Sequence, residues 1–475
     1  MFRPAESTSR ETAILKVPST REATTYDRVF WFAYAANTLV MVAVSLLFRY
    51  ADFIHYLGGS ELDLGWIVGI GMIGSLVMRL VQGTGIDHFG PRCVWVLSNC
   101  LFVVSLLAHL FVTNVDGPIV YMVRIAFNTS VAGIFGASIT NISLRAPTQR
   151  LAEVLGTLGT SGFLGMMIGT LLGDHLFGSG PINWEHLRQM FITAACLGAV
   201  SMVFAILATR DEIRPSRRHN PPLPWLVRRY HPGRLLVIGI MMGVGLGMPQ
   251  IFVRAFTAEI GLPGIAVFFW IYAPAAFVAR MTTRQLPDRI GVRPTIIIGL
   301  ASLSLGCLAF LGVTQSIDLI APAVLIGVAH AMLFPAVLAG GTTGFPGRYR
   351  GLGTTLMLAS FDLGNLVGMP ALGGVIHFAE RLGLPKYPTM FTTLSAVMAI
   401  VAAWYAIGSR GKRNLPRQRT NPRKDNPLTL DPTETFVTPN DRTALEAEAR
   451  VATPCEEHEN REDLRCVVGR SNDSA

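Results

Sequence analysis

Gly83-Thr-Gly-Ile-Asp87-His-Phe-Gly90-Pro-Arg92 and Arg284-Gln-Leu-Pro-Asp288-Arg-Ile-Gly291-Val-Arg293 are two copies of one pattern, set 201 residues apart. Each begins where a long apolar run ends. Each also has an arginine eight residues before its aspartate, Arg79 in the first copy and Arg280 in the second. Arginine, aspartate, glycine and arginine thus coincide at a single offset, so the chain reads as a duplication.

The flanking runs set the class. They are roughly 18 to 25 residues long, which is what a helix needs to cross a hydrocarbon core about 30 Å thick. Six fall within residues 29–209 and six within 235–408, the first from Val29 to Phe48 and the eleventh from Leu352 to Ile376. Of the 475 residues, 51% are hydrophobic and 15% charged, and the mean hydropathy is +0.43. These values belong to membrane proteins rather than to soluble domains of this length. The expected fold is an all-α membrane protein with twelve transmembrane helices in two pseudo-symmetric six-helix bundles.

A net charge of +9 would suit a nucleic-acid partner if it stood alone. Here the basic residues alternate with membrane-length runs, which points to lipid and not to nucleic acid. The linker 210–234 is rich in arginine and proline, and Arg145, Arg150, Arg289, Arg293 and Arg348 follow the fourth, eighth and tenth spans. The alternate connectors carry Asp52, Glu61, Asp116, Asp174 and Asp318 instead. The positive-inside rule then places both termini in the cytoplasm of a cell-membrane protein. Residues 1–28 lack the apolar core of a signal peptide and read as a cytoplasmic tail. Residues 409–475, basic as far as Lys424 and then acidic, read as a disordered one. The six cysteines avoid the outer connectors, so neither a disulfide framework nor a metal site is expected.

The duplication continues inside the spans. Ser161, Gly165 and Gly169 of the fifth correspond to Ser360, Gly364 and Gly368 of the eleventh. Small residues four apart share a helical face and let backbones approach, so these two spans are expected to pack tightly on neighbours.

Twelve spans in two halves, a basic central linker, and the pattern Gly83, Asp87, Gly90, Arg92 between spans 2 and 3 resemble the major facilitator superfamily of secondary transporters. Asp288, Arg289, Gly291 and Arg293 resemble the weaker second copy of that signature. Arg124 resembles the arginine of a second family motif, and Gly327 to Pro335 and Arg350 to Gly373 look like spans 10 and 11 of bacterial efflux permeases. The chain departs from the family pattern at Pro91, Arg284 and Asn128, and span 5 lacks the proline of drug antiporters.

The resemblance implies a monomeric carrier of a small-molecule solute that alternates between inward- and outward-open states without a cofactor. It also implies that Asp87 meets the start of span 11, where unpaired N–H groups and the helix dipole favour a carboxylate, so that Gly83, Asp87, Gly90 and Arg92 with their second copy form a cytoplasmic gate. Ionisable groups deep in a span are costly and therefore informative. Asp362, Arg124 and His330 are the candidates for proton coupling. Asn37, Arg49, Gln250, Arg254, Trp270, Tyr272 and Asn365 are the candidates for a solute cavity. Arg79 and Arg280 are expected to snorkel toward the near membrane surface. Pro249, preceded by Gly243, Gly245 and Gly247, is expected to loosen span 7. No nucleophile, metal cluster or carboxylate pair suggests an enzyme, and no Walker loop suggests ATP drive. Proton-coupled export, uptake of an organic anion, and a receptor or scaffold built on the same fold remain the readings in play.

Overall fold

The computed structural model describes residues 26–147, 150–178, 180–211, 228–230, 232–283, 285–346 and 350–408, apart from the side chains of Gly83, Thr84, Ala152, Asp87, Asp288 and Arg350. The N-terminal tail, most of the linker, Arg284, Arg348 and the acidic C-terminal tail lie outside these residues. Within them the chain is a multi-pass membrane protein of twelve long apolar helices. The first six are α1 (Arg28–Tyr56), α2 (Glu61–Gln82), α3 (His88–Phe111), α4 (Pro118–Ser143), α5 (Glu153–Phe177) and α6 (Trp184–Ala208). The second six are α7 (Arg234–Glu259), α8 (Ala266–Thr283), α9 (Val292–Gly312), α10 (Ser316–Thr342), α11 (Gly351–Arg381) and α12 (Lys386–Gly408).

Helix is the form in which a single segment can satisfy all its backbone donors and acceptors in lipid, and local chemistry sets where each helix starts. Asp27 accepts from the amide of Phe30 at 2.9 Å, and Asn183 accepts from that of His186 at 3.0 Å. Ser60 and Asp63 form a reciprocal capping box at the start of α2. The two signature stretches make matching turns. Gly90 has φ 82° and ψ 159°, and Gly291 has φ 94° and ψ 156°, a conformation open to glycine and strained for other residues.

An even number of spans brings both ends of the bundle's chain to one face. That face carries Arg145, Arg150, Arg210, Arg289 and Arg293 and is called the basic end below; the other is the acidic end. The expected close packing of spans 5 and 11 is present. A Cβ at Gly165 or Gly169 of α5 would press on backbone carbonyls of α1, and one at Gly364 of α11 would press on the Ile240 carbonyl of α7. The halves meet chiefly along α2 with α11 and α5 with α8.

Two differences from the sequence reading have physical causes. Span 1 does not end at Phe48. A short 3₁₀ turn, Leu47–Arg49, joins it to a further helix, Tyr50–Tyr56, so Asp52 lies inside α1 and not in a connector. The hydropathy drops there because Arg49 and Asp52 are charged, yet the helix continues because those charges are paired. Span 7 runs unbroken through Pro249. Its glycines serve packing instead: Gly243 faces the Phe361 carbonyl and Gly247 faces the Asn365 side chain.

Candidate functional site

The acidic end is closed by charge. Arg49 of α1 donates from Nε to Asp52 Oδ2 at 2.9 Å and from Nη1 to Asp174 Oδ1 at 2.8 Å. Arg254 of α7 donates from Nε to both oxygens of Asp52, at 2.9 and 2.8 Å. Asp174, at the end of α5, then accepts from the backbone amides of Ile265 and Ala266 at 2.9 and 2.7 Å, where α8 begins. A carboxylate of one half therefore occupies the positive end of a helix in the other. Arg49, Asp52 and Arg254 are 2%, 2% and 6% exposed, so the network is buried apart from Asp174, which is partly exposed. Phe48 and Phe269 close the same seam, their ring centres 4.8 Å apart.

A second cross-half ion pair lies deeper, on α2 and α11. Arg79 donates to Asp362 from Nε and again from Nη2 at 3.3 Å, and Ser75 donates to the same carboxylate at 2.6 Å. Arg79 thus turns inward to a buried partner and does not snorkel. Around it the helices are close. A Cβ at Gly65 or Gly69 of α2 would meet the Met369 or Leu366 carbonyl of α11, so the two backbones touch on the acidic side of the pair.

Between the halves lies a cavity of about 720 Å³, lined by α1, α4, α5, α8, α9, α10 and α11. Its lining runs from Asn37 and Phe334 to Leu155, Thr283 and Pro287, the last in the basic-end connector between α8 and α9. No residue of the acidic-end network contributes to it. Arg280 does, with its guanidinium carbon 5.7 Å from the centre of the Phe163 ring.

Of the residues expected to line a solute cavity, the structure places Asn37 there. Arg49 and Arg254 join the acidic-end network and reach neither solvent nor the cavity. Gln250 donates to the Leu246 carbonyl of its own helix at 3.4 Å, and Asn365 to that of Phe361 at 3.1 Å. Trp270 is 43% exposed and donates across the halves to the Met167 carbonyl at 3.0 Å. Tyr272 is buried and hydrogen-bonded to His330 Nδ1, and the His330 ring packs on Phe163, a neighbour of the cavity. Arg124 sits within the first half, its guanidinium 4.4 Å from the Tyr50 ring centre, with Nε and Nη1 buried and unbonded. Asp362, Arg124 and His330 thus have three different sets of partners. At the basic end, Arg289 bonds Gln285 at 2.9 Å and Arg293 donates to the Ala406 carbonyl. The side chains of Asp87 and Asp288 lie outside the described residues.

The sequence reading assigned Asp52 and Asp174 to outer connectors and expected Arg280 to snorkel, and named none of them as a site residue; Arg280 lines the cavity instead. A signal existed for two of them. Arg49 and Asp52 are three apart on one helical face, and Arg280 repeats the position of Arg79.

Comparison with known proteins agrees with this architecture. Multidrug resistance protein 2 of Bacillus subtilis (strain 168) is 23% identical over 73% of this chain and 86% of its own. Staphylopine export protein of Staphylococcus aureus (strain Mu50) is 22% identical over 72% and 86%. Among solved structures, a D-xylose-proton symporter superposes with a TM-score of 0.64 over 82% of this chain and 99% of its own, at 15% identity. The sequence profile of the Major Facilitator Superfamily matches residues 29–339 and 249–441, together nearly all of the helical bundle, and on that match this chain belongs to the Major Facilitator Superfamily of transporters.

Proposed function

We propose that the protein is a secondary active transporter that moves a small organic solute across the cytoplasmic membrane by alternating access, as a proton-coupled exporter with its basic end in the cytoplasm. The observation that carries this reading is the asymmetry of the interface. One end is sealed by a buried ionic network shared between the halves, while a cavity between those halves extends to the other end. A carrier resting in its inward-open state has this arrangement. Rocking one half against the other would break the Asp52 and Asp174 contacts and bring the basic ends of α2 and α11 together. Asp87 and its neighbours Gly83, Gly90 and Arg92 act there as the latch of the opposite state, with the copy at Asp288, Arg289, Gly291 and Arg293 in support.

The Arg79–Asp362 pair supplies the coupling element. While Asp362 is ionised it holds Arg79 across the interface; a proton on Asp362 cancels that attraction and frees α2 to shift on α11. Two of the chain's relatives are named for resistance and export, which supports export as the direction. The test is transport by purified protein in liposomes, with a panel of small amphipathic solutes of each charge type and an imposed pH gradient. Solute flux should respond to the gradient, and Asp362→Asn should abolish that response. Flux indifferent to the gradient, together with an active Asp362→Asn variant, would end the proton-coupled reading.

A further inference from the structure

Between the halves of this protein almost every deep arginine has a carboxylate. Arg49 has Asp52 and Asp174, Arg254 has Asp52, and Arg79 has Asp362. Arg280 is the exception among the described residues that line the cavity. It is the one charged side chain in that lining, it makes no ion pair, and its Nε is shielded from solvent without a hydrogen-bond partner. Its contact is the face of Phe163. Arg124 also lacks a carboxylate, but it is stacked on Tyr50 inside the first half and does not border the cavity.

The remaining lining narrows what could answer that charge. Three of the four lining hydroxyls donate to their own helices, Ser161 to the Leu158 carbonyl at 2.6 Å, Thr283 to that of Ala279 at 2.6 Å, and Thr295 to that of Gly291 at 2.9 Å, and Thr354 is the fourth. Asn37 adds a buried Oδ1 that has no hydrogen-bond partner. The rest of the lining is apolar side chains and glycines, with Phe135, Leu155, Met332, Phe334 and Leu338 prominent. A sugar, which must exchange many hydrogen bonds with water for bonds with the protein, finds too few partners here. A cation meets a like charge. An anionic head with an apolar body fits both features: the head satisfies the guanidinium fork, and the body covers the apolar wall.

We infer that the cavity binds a soluble amphipathic organic monoanion, its carboxylate or sulfonate held by Arg280 and its apolar part lodged against Phe135, Met332 and Phe334. This rests on reading the cavity as the solute site, and it names the class of solute.

The experiment is equilibrium dialysis with the full-length protein in nanodiscs of zwitterionic lipid, empty discs serving as the partition control. The probes are 2-naphthalenesulfonate, 2-naphthoate, the neutral 2-naphthalenesulfonamide and the cationic 2-naphthylmethylammonium. The anions should bind saturably, about tenfold or more tighter than the sulfonamide and the ammonium. Arg280→Gln should weaken the anions by about tenfold or more while leaving the sulfonamide unchanged, and Arg280→Lys should recover part of the loss. The unliganded Arg280→Gln protein should be at least as heat-stable as its parent, since an uncompensated charge is gone; this separates lost binding from lost folding. The inference is overturned by failure of both anions to bind saturably, by equal binding of the sulfonamide, by an Arg280→Gln variant with unchanged anion affinity, or by loss of anion binding when the discs contain anionic lipid. Binding needs no transport, so the two readings fail separately. Anion binding without flux would remove the transporter proposal and keep this one, whereas flux of neutral solutes only would do the reverse.

Discussion

Asp52 bears the most on which way this protein faces, and Asp52→Asn tests it. The substitution keeps the shape of the side chain and removes its charge. Arg49 would retain Asp174 at 2.8 Å, but Arg254 has no other ion-pair partner among the described residues, and its Nη1 is already without a hydrogen bond. The loss therefore falls on a guanidinium that is 6% exposed. Removing one partner of such a buried pair costs about 3–5 kcal/mol, because the other charge is left desolvated. That cost is felt only while the acidic end is closed; once it opens, water reaches both arginines. Opening should thus be favoured by a factor on the order of 10² or more, enough to turn a closed population into a mixed or open one. Spin labels on Thr113→Cys and Leu384→Cys, exposed acidic-end positions in opposite halves, would report this by pulsed dipolar spectroscopy in a background lacking the six native cysteines. The parent should give a single short distance and Asp52→Asn a longer one. A folded Asp52→Asn protein with the parental distance would show that the network is not what holds the acidic end shut, and the argument from burial would fail with it.

Four further outcomes follow from the same structure. A double-mutant cycle of Arg79→Gln and Asp362→Asn, read by thermal unfolding, should show each single change costing ~3 kcal/mol and the double change less than their sum; additivity would mean that the pair does not couple α2 to α11. Gly364→Ala, whose new methyl runs into the Ile240 carbonyl, should lose about 1–3 kcal/mol, whereas Gly374→Ala on the same helix, with nothing within 4 Å, should be neutral or gain a few tenths from helix propensity. Tyr272→Phe strands the Nδ1 of half-buried His330 and should cost about 1–3 kcal/mol, with no change if water replaces the hydroxyl. Asp87→Asn should reduce the population with a closed basic end, seen as fewer short distances between labels on Arg210→Cys and Thr343→Cys; an unaltered distribution would remove Asp87 from the latch.

What the sequence disclosed depended on range. Periodic and local features were legible: twelve spans and the small-residue faces of α5 and α11 follow from neighbours in the chain, whereas the helix caps at Asp27 and Ser60 lie a few residues before the apolar runs and were not read. Pairings across the interface were not. Asp362 and Arg79 lie 283 positions apart and Arg254 and Asp52 lie 202 apart, so each looked like a lone charge whose partner no spacing could reveal. Hydropathy also misplaced Asp52, because a charge neutralised by a distant partner has the same hydropathy as one in a loop. Arg79 and Arg280 show the limit from the other side. They share a position in the repeat, yet one finds a carboxylate and the other faces a cavity, and that difference arises in the partner helices rather than in their own segments.

Helix-start chemistry nevertheless gives the two ends of the protein a common logic. At the acidic end Asp174, on the last turns of α5, lies against the first amides of α8 in the opposite half. In a duplicated bundle α5 corresponds to α11 and α8 to α2, so the related contact sets the last part of α11 against the start of α2 at the same end, where a Cβ at Gly373 would meet the Glu61 carbonyl. The opposite ends of those two helices, the end of α2 and the start of α11, lie at the basic end. The end of α2 is where Asp87 stands. A carboxylate at a helix start is stabilised by the unpaired amides and the dipole, and the contact is lost once the helix moves a few ångströms away, because the effect is confined to the first turn. Two such contacts at opposite ends of a rigid pair of bundles cannot both be made at once, since closing one end of a rocking interface opens the other. On this logic the signature at Asp87 and the network at Asp174 are alternatives within one equilibrium, and Asp52 sets its balance.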